Sequence, residues 1–502
     1  MTSQVLPQQL HESENLSPSN VAQEPSMLLT QPSSKLKSKP PDQSEKEVKE
    51  EINSLVHLTI ILVAIQSGNF SIGYSLSYLT ISFSTLFSQI TLKGSEIEEQ
   101  GLFSAVLSIG QVVGALLTKP LLKYTTRNQS LLIADLFGII SILQVIPNRE
   151  VILTFRFCYG LCLGISTIIM AVYVKELCPD QYYETFSVLA SFLIAGGLFF
   201  INFLSLGYLN PDLRGEDSYY WQIIFAIPAL LHLFRQLILT VIYKVDSPDS
   251  LIQIQMKQKA KEIIKKIYQP QFIDQVFQKC QLRSQENQVQ QEGMMNLFNK
   301  KHIQTLLIGC LLAFISTWCG LFALYSYSSQ IFNIMSDGDL TLNAIFSIIL
   351  GVVQLIPAFI SKFIYRRLGN RPLLLYGLFF LIIFQILIIG LSYSDSYEAT
   401  IISFIIICFF AFTFALTLGP ITFSMTPEIN TSEGTYFCFV TLYAWQLLML
   451  YIFPFMLDGI KMSGSFILFG ILTFLALIYF YFSVKETKGF NHNEIDNLYG
   501  KL

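Results

Sequence analysis

The chain has 502 residues, 52% of them hydrophobic and 13% charged, with a formal net charge of −3. A soluble domain carries about 25% charged residues, so too little polar sequence remains here to cover a water-facing surface. With no nucleotide loop, metal cluster or catalytic-triad pattern, nothing points to an enzyme, a cofactor or a nucleic-acid partner, and the composition is that of a polytopic helical membrane protein.

Residues 1–53 are rich in Ser, Pro, Gln, Lys and Glu and lack a short apolar core. They read as a disordered tail without a cleavable signal. Apolar runs of the length that crosses about 30 Å of hydrocarbon then follow near 54–77, 99–121, 129–147, 150–173, 184–208 and 221–243. A polar stretch, 244–301, separates them from runs near 302–333, 341–365, 371–393, 397–425, 435–457 and 463–483, and a polar tail, 484–502, closes the chain. The expected fold is all-α: twelve transmembrane helices in two six-helix bundles, 54–243 and 302–483, joined by a helical cytoplasmic loop. Placing both termini in the cytoplasm puts 21 Lys and Arg of the later segments on that side against four on the other, as the positive-inside rule requires. Within the central loop, "KQKAKEIIKKIY" reads as a basic amphipathic helix, suited either to an anionic leaflet or to docking on the bundles.

The two halves repeat one sequence of events. A basic loop follows the second run of each, "KPLLKYTTRNQSLL" and "KFIYRRLGNRPLLL", and a glutamate ends the fourth, "VKELCPD" and "TPEIN". Arg127 and Arg371 are 244 residues apart, and Glu176 and Glu428 are 252 apart. Carboxylates and guanidiniums on one membrane face pair when that face closes, which makes these four residues a candidate gate. Arg156 and Arg235 lie inside apolar runs. Arg156 is read as scaffold bonded to hydroxyls and carbonyls, or as the holder of an anionic substrate group; Arg235 is expected to snorkel to the cytoplasmic boundary. Pro357 and Pro420 are expected to kink their spans, and the eight scattered cysteines read as apolar fillers.

These stretches resemble the sugar porter family of the major facilitator superfamily. "RFCYGLCLGISTIIMAVYVKELCPD" is similar to the family's fourth-span pattern, with Arg156, Gly160, Gly164, Tyr173, Glu176 and Pro179 in place. "VDSPDSL", "YRRLGNRPLLLYG", "GPITFSMTPEI" and "KETKGF" resemble four further motifs, in order, over about residues 55–490. The resemblance implies alternating-access transport of a small polyhydroxylated solute, most simply a monosaccharide such as a hexose, with the lipid bilayer as partner and the plasma membrane as the default location. It also implies substrate positions, occupied here by Ser191, Ser316, Thr317, Gln354, Phe423 and Trp445. Several depart from the family's amides and aromatics: its paired glutamines become Ser316 and Thr317, and its span-ten tryptophan becomes Phe423. The proton-coupling acid of span one is replaced by Ser75. With no other acid read inside a span, facilitated diffusion is expected. A carrier of an anionic or less polar solute, and a non-transporting nutrient sensor, stay open as alternatives.

Overall fold

The computed structural model describes residues 52–215, 217–289, 302–394, 396–488, 490 and 492–500. Nearly all of the tail expected to be disordered, and the end of the central loop at 290–301, lie outside the described residues. Regular structure among the described residues is helical apart from one isolated bridge, Ile52 to Tyr268.

The first helices are α1 (Leu55–Ser75), α2 (Tyr78–Gln89), α3 (Glu96–Tyr124), α4 (Arg127–Ile140), α5 (Arg149–Leu177), α6 (Asp180–Leu204), α7 (Pro211–Arg214) and α8 (Tyr220–Gln236). The central segment forms α9 (Pro248–Gln253), α10 (Lys257–Ile267) and α11 (Ile273–Val289). The remainder forms α12 (Ile303–Trp318), α13 (Leu321–Ser326), α14 (Ser328–Met335), α15 (Leu340–Leu368), α16 (Asn370–Leu391), α17 (Tyr397–Leu416), α18 (Leu418–Ile429), α19 (Ser432–Gly459), α20 (Lys461–Ser483) and α21 (His492–Leu498). Among the described residues, 11 helical stretches are long and apolar enough to cross a membrane, and Ile303–Trp318 is a shorter apolar helix.

Local chemistry sets the helix ends. Ser95 with Glu98, and Thr126 with Gln129, form reciprocal capping boxes at the starts of α3 and α4, each satisfying two orphan backbone donors. Asn148 and Ser396 cap α5 and α17. Two expected spans, the seventh and the tenth, are not continuous, and the first is followed by a further helix. The first ends at Ser75, close to its expected end, and α2 follows it with Leu79, Ile81, Phe83 and Leu86 in the core. The seventh is cut into α12, α13 and α14, with Gly320 at φ +97° against the Phe469 ring, a backbone and a space that only glycine accepts without strain. The tenth breaks at Thr417, three residues before Pro420. Proline has no N–H to offer the carbonyl four residues earlier, so a break stands where a kink was expected.

Packing is closest between α3 and α5. A Cβ added at Gly110 would lie 2.8 Å from the Gly160 Cα, so the two backbones meet as only paired small residues allow. Other close pairs are α1 with α6, α4 with α5, α12 with α19 and α16 with α20. The most extensive packing of early helices on late ones is α3 with α19 and α6 with α15, and α2 also meets α14. The basic helix α10 turns Ala260, Ile263, Ile264 and Ile267 into a core shared with Leu251, Phe277 and Cys280, so its apolar face is covered by protein and not by lipid. Asn53 at the start of α1 donates from its backbone N–H to the Ile267 carbonyl at 2.8 Å.

Candidate functional site

The seam between α3 and α19 carries polar groups from end to end. Near the end where the basic loops lie, Lys119 Nζ pairs with Glu433 Oε1 at 2.9 Å, and the Tyr436 hydroxyl donates to the Ala115 and Leu116 carbonyls at 3.0 and 2.9 Å. Midway, Gln446 Nε2 donates to Gln111 Oε1 at 3.1 Å. Toward the opposite end the ties pass to neighbouring helices: Gln330 Nε2 on α14 donates to Gln100 Oε1 on α3 at 3.1 Å, and the Ser77 hydroxyl, between α1 and α2, donates to the Tyr325 carbonyl on α13 at 2.6 Å. Between these ties lies a small cavity lined by Ser75, Thr80, Ser104, Arg156, Ser326 and Gln446 among others, with room for about one water molecule.

Arg156 lines that cavity while remaining buried. Its Nε donates to the Phe103 carbonyl at 2.6 Å, its Nη1 meets the Tyr78 hydroxyl, and its guanidinium lies 4.7 Å from the Tyr78 ring centroid. Every one of these partners is neutral. The geometry matches the scaffold reading of this residue.

The two basic loops are built on one plan with one difference. Arg127 chelates Glu176 through Nε and Nη2 at 2.8–3.2 Å, and the Ser247 hydroxyl donates to the same carboxylate. Asp246 accepts the N–H of Asn128 at 3.1 Å, at the start of α4. In the later half Glu486 plays the matching part, accepting the N–H groups of Asn370 and Arg371 at 3.3 and 3.2 Å at the start of α16. Here Glu428 accepts from the Asn370 amide at 2.7 Å, and Arg371 turns away to the Tyr481 carbonyl at 3.0 Å. The pairing suggested by the sequence therefore forms between Arg127 and Glu176, whereas Asn370 and not Arg371 is the counterpart of Arg127. Outside the spans, burial raises the carboxyls of Asp246 and Asp249. That of Asp249 is pushed up to about 6, with Arg283 opposing the rise and Glu176 adding to it.

One cluster was missed in the sequence. Asp135, in the middle of α4, is fully buried and accepts four hydrogen bonds. Arg235 donates from Nε at 3.0 Å and from Nη2, His232 Nδ1 lies 2.8 Å away, and Gln236 supplies the fourth. Arg235 also donates to Ser166 at 3.1 Å. Two expectations are corrected here: an acid does lie inside a span, and Arg235 does not snorkel but is 1% exposed. Charges inside a membrane pair with one another or with backbone carbonyls, so an Asp inside an apolar run of the half that also holds Arg156 and Arg235 was the available signal. Asp135, Cys162 and His232 have donor atoms close enough for a metal ion, but Arg235 already supplies the positive charge beside Asp135.

The substrate positions implied by the resemblance do not converge on the cavity. Ser316 donates to the Ala313 carbonyl at 3.0 Å and Thr317 to the Phe314 carbonyl at 2.8 Å, so both hydroxyl protons are spent on their own helix. Gln354 is buried with its Nε2 unpartnered. Ser191 is half-buried on α6. Phe423 is 47% exposed and stacks on Phe439. Trp445 packs edge-on against Phe314 at 4.9 Å, beside the seam, and its carbonyl accepts Trp318 Nε1 at 3.2 Å.

Comparison with known proteins gives a consistent picture. The family model described as "Sugar (and other) transporter" matches residues 56–499. The chain is 24% identical over 419 residues to "Hexose transporter 1" of Plasmodium falciparum (isolate 3D7), covering 80% of this chain and 82% of that one. It is 26% identical over 407 residues to "Putative metabolite transport protein YwtG" of Bacillus subtilis (strain 168), covering 79% and 86%. Among solved structures, the proton:xylose symporter XylE of the major facilitator superfamily, bound to 6-bromo-6-deoxy-D-glucose, superposes with a TM-score of 0.73 at 19% identity, over 88% of this chain and 99% of that one. The fold is shared with that structure.

Proposed function

The chain belongs to the sugar (and other) transporter family, and from that premise we propose that it moves a monosaccharide such as a hexose across a membrane by alternating access. It is a multi-pass membrane protein of a transporter family and not an enzyme. In this reading α12, α13 and α14 form one broken span, which makes twelve. The spans divide into bundles at 54–243 and 302–483, and both termini lie in the cytoplasm, where the Lys and Arg excess falls. The plasma membrane is the default location.

The observation that carries the reading is the polar seam between α3 and α19. It holds an ion pair near its basic end and an amide pair midway, α3 is tied to α14 through Gln100 and Gln330 toward the other end, and a small cavity lined by hydroxyl, amide and leucine side chains lies between. Substrate sites in such folds lie near the midplane between repeats. The Arg127–Glu176 and Asn370–Glu428 contacts brace the cytoplasmic face as it closes. Facilitated diffusion is read from the first span, where Ser75 stands in place of a coupling acid, and from the Asp135 carboxylate being fully engaged by Arg235, His232 and Gln236 outside the cavity lining.

The test is uptake of radiolabelled D-glucose, D-xylose, polyols and carboxylates into liposomes holding the purified chain, with and without a pH gradient. The expected result is equilibration of a monosaccharide at a rate indifferent to the gradient. Uphill accumulation driven by external acid would overturn the facilitated mode, and uptake of carboxylates alone would overturn the sugar.

A further inference from the structure

A buried polar atom without a partner costs free energy, so where such atoms cluster is informative. Two hydroxyls in or beside the central seam have none: Ser326 Oγ and Ser108 Oγ. Ser326 lines the cavity directly. Ser108 lies four residues after Ser104 and three before Gln111, so all three share the face of α3 that meets α19. Opposite them Gln446 lines the same cavity and bridges to Gln111. The neutral polar groups are hydroxyls and amides, which both donate and accept, and they are set among four leucines that also line the cavity and suit the C–H face of a ring. The cavity's charged lining residue, Arg156, has its charge directed to neutral oxygens. Such a lining fits a neutral, polyhydroxylated ring, whose hydroxyls also do both.

We infer that Gln446 and Ser326 contact the sugar and set its specificity, and that the bound sugar replaces the Gln446–Gln111 hydrogen bond joining α3 to α19. The inference rests on the monosaccharide reading above. The closed cavity has room for about one water molecule, so a sugar enters only when the seam parts. Parting it breaks the amide–amide bond at 3.1 Å. Sugar hydroxyls restore a partner to each amide and give Ser326 the partner it lacks, so binding and seam opening are the same event. Ser316 and Thr317, whose hydroxyls are bonded within their helix, take no such part.

The experiment compares wild type, Ser326→Ala, Gln446→Ala, Gln446→Asn and Ser316→Ala in liposomes, reading KM and maximal rate for D-glucose and D-xylose counterflow. Single-position deoxy analogues are run beside them. Thermal melting of each purified protein is measured with and without sugar. Loss of one neutral hydrogen bond in a site weakens binding about tenfold. Ser326→Ala and Gln446→Ala are therefore expected to raise KM about tenfold, with the maximal rate changed by less than about threefold. Each should also lose discrimination against one deoxy analogue, Gln446→Asn should recover part of the loss, and Ser316→Ala should stay within about twofold of wild type. Ser326→Ala should melt higher than wild type without sugar, since it removes an unsatisfied hydroxyl, yet gain less from added sugar. A purely structural serine would not give these opposite signs. Unchanged KM for both Ala variants in a transporting protein overturns the inference and leaves the function standing. A wild type that moves no sugar overturns the function and the inference together. If Gln446→Ala is not monodisperse, Ser326→Ala decides, since it removes no contact made in the closed state.

Discussion

Replacing Asp135 by Asn keeps its shape and removes its charge. The carboxylate now receives two bonds from Arg235, one from His232 and one from Gln236, at a site with no water exposure. The amide cannot balance the guanidinium, and stranding one member of a buried ion pair costs about 3–5 kcal/mol. Arg235→Met strands Asp135 instead, with His232 and Gln236 still donating, and falls in the same range. The double variant leaves no charge. Methionine suits the space beside Met170, whose sulfur already lies 3.3 Å from Arg235 Nη1, so it should regain most of the loss. The two single costs should exceed the double cost by about 3 kcal/mol or more. Unfolding in mixed micelles at graded denaturant, followed by fluorescence, reads these values, because Trp221 lies on the same helix as His232 and Arg235. Additivity within about 0.5 kcal/mol would refute the claim that this pair is held by mutual neutralisation. Transport by the double variant, still indifferent to a pH gradient, would separate its structural role from any role in coupling.

At the two basic loops, Glu176→Gln should slow transport at least about tenfold, because it removes a bidentate charge-assisted contact, while Glu428→Gln, facing the neutral Asn370, should slow it by about threefold or less. Lys119→Glu should expose the α3–α19 seam to alkylation from the basic end, and adding Glu433→Lys should restore protection, although so exposed a pair is worth about 1 kcal/mol or less. Asp249 gives a pH signature. Its folded carboxyl holds a proton up to about pH 6, more tightly than the unfolded chain, where the ordinary value is about 3.9. Its contribution to docking is therefore fullest below about pH 4 and is lost as pH rises through about 6. Protection factors across 248–284, with the intrinsic pH dependence of amide exchange divided out, should be higher at pH 5 than at pH 7.5, and Asp249→Asn should flatten the difference.

Most of the helical layout was legible because bilayer thickness forces each crossing to a common length, which leaves a long apolar run as its trace. The helices capped by Ser95 and Thr126 start two or three residues before the expected 99 and 129, because a cap extends a helix into polar sequence that hydropathy does not mark. The breaks were less legible. Gly320 and Pro420 were visible, but whether a span bends or stops depends on neighbours such as Phe469 that lie far off in sequence. The candidate site was the least legible part. Family positions named Ser316 and Thr317, and nothing in their letters says that a hydroxyl will turn back to its own helix. Gln446 sits one residue from the expected Trp445, and one residue on a helix is a rotation of about 100°, enough to exchange a packing face for a cavity. Asp135 and Arg235 were readable as a pair once both were required to be matched inside the membrane.

Arg156 has a further consequence, electrical in kind. Its partners are a carbonyl, a hydroxyl and an aromatic ring, so it stands as a whole positive charge in the transmembrane field, unlike the neutral Asp135–Arg235 pair. A full crossing of that field is worth about 2.3 kcal/mol per 100 mV for one charge. If α5 shifts so that Arg156 moves through one-tenth of the drop, the two halves of the cycle differ by about 0.2 kcal/mol per 100 mV. A carrier of a neutral sugar would then register membrane voltage as a small transient charge movement, with no ion crossing at all.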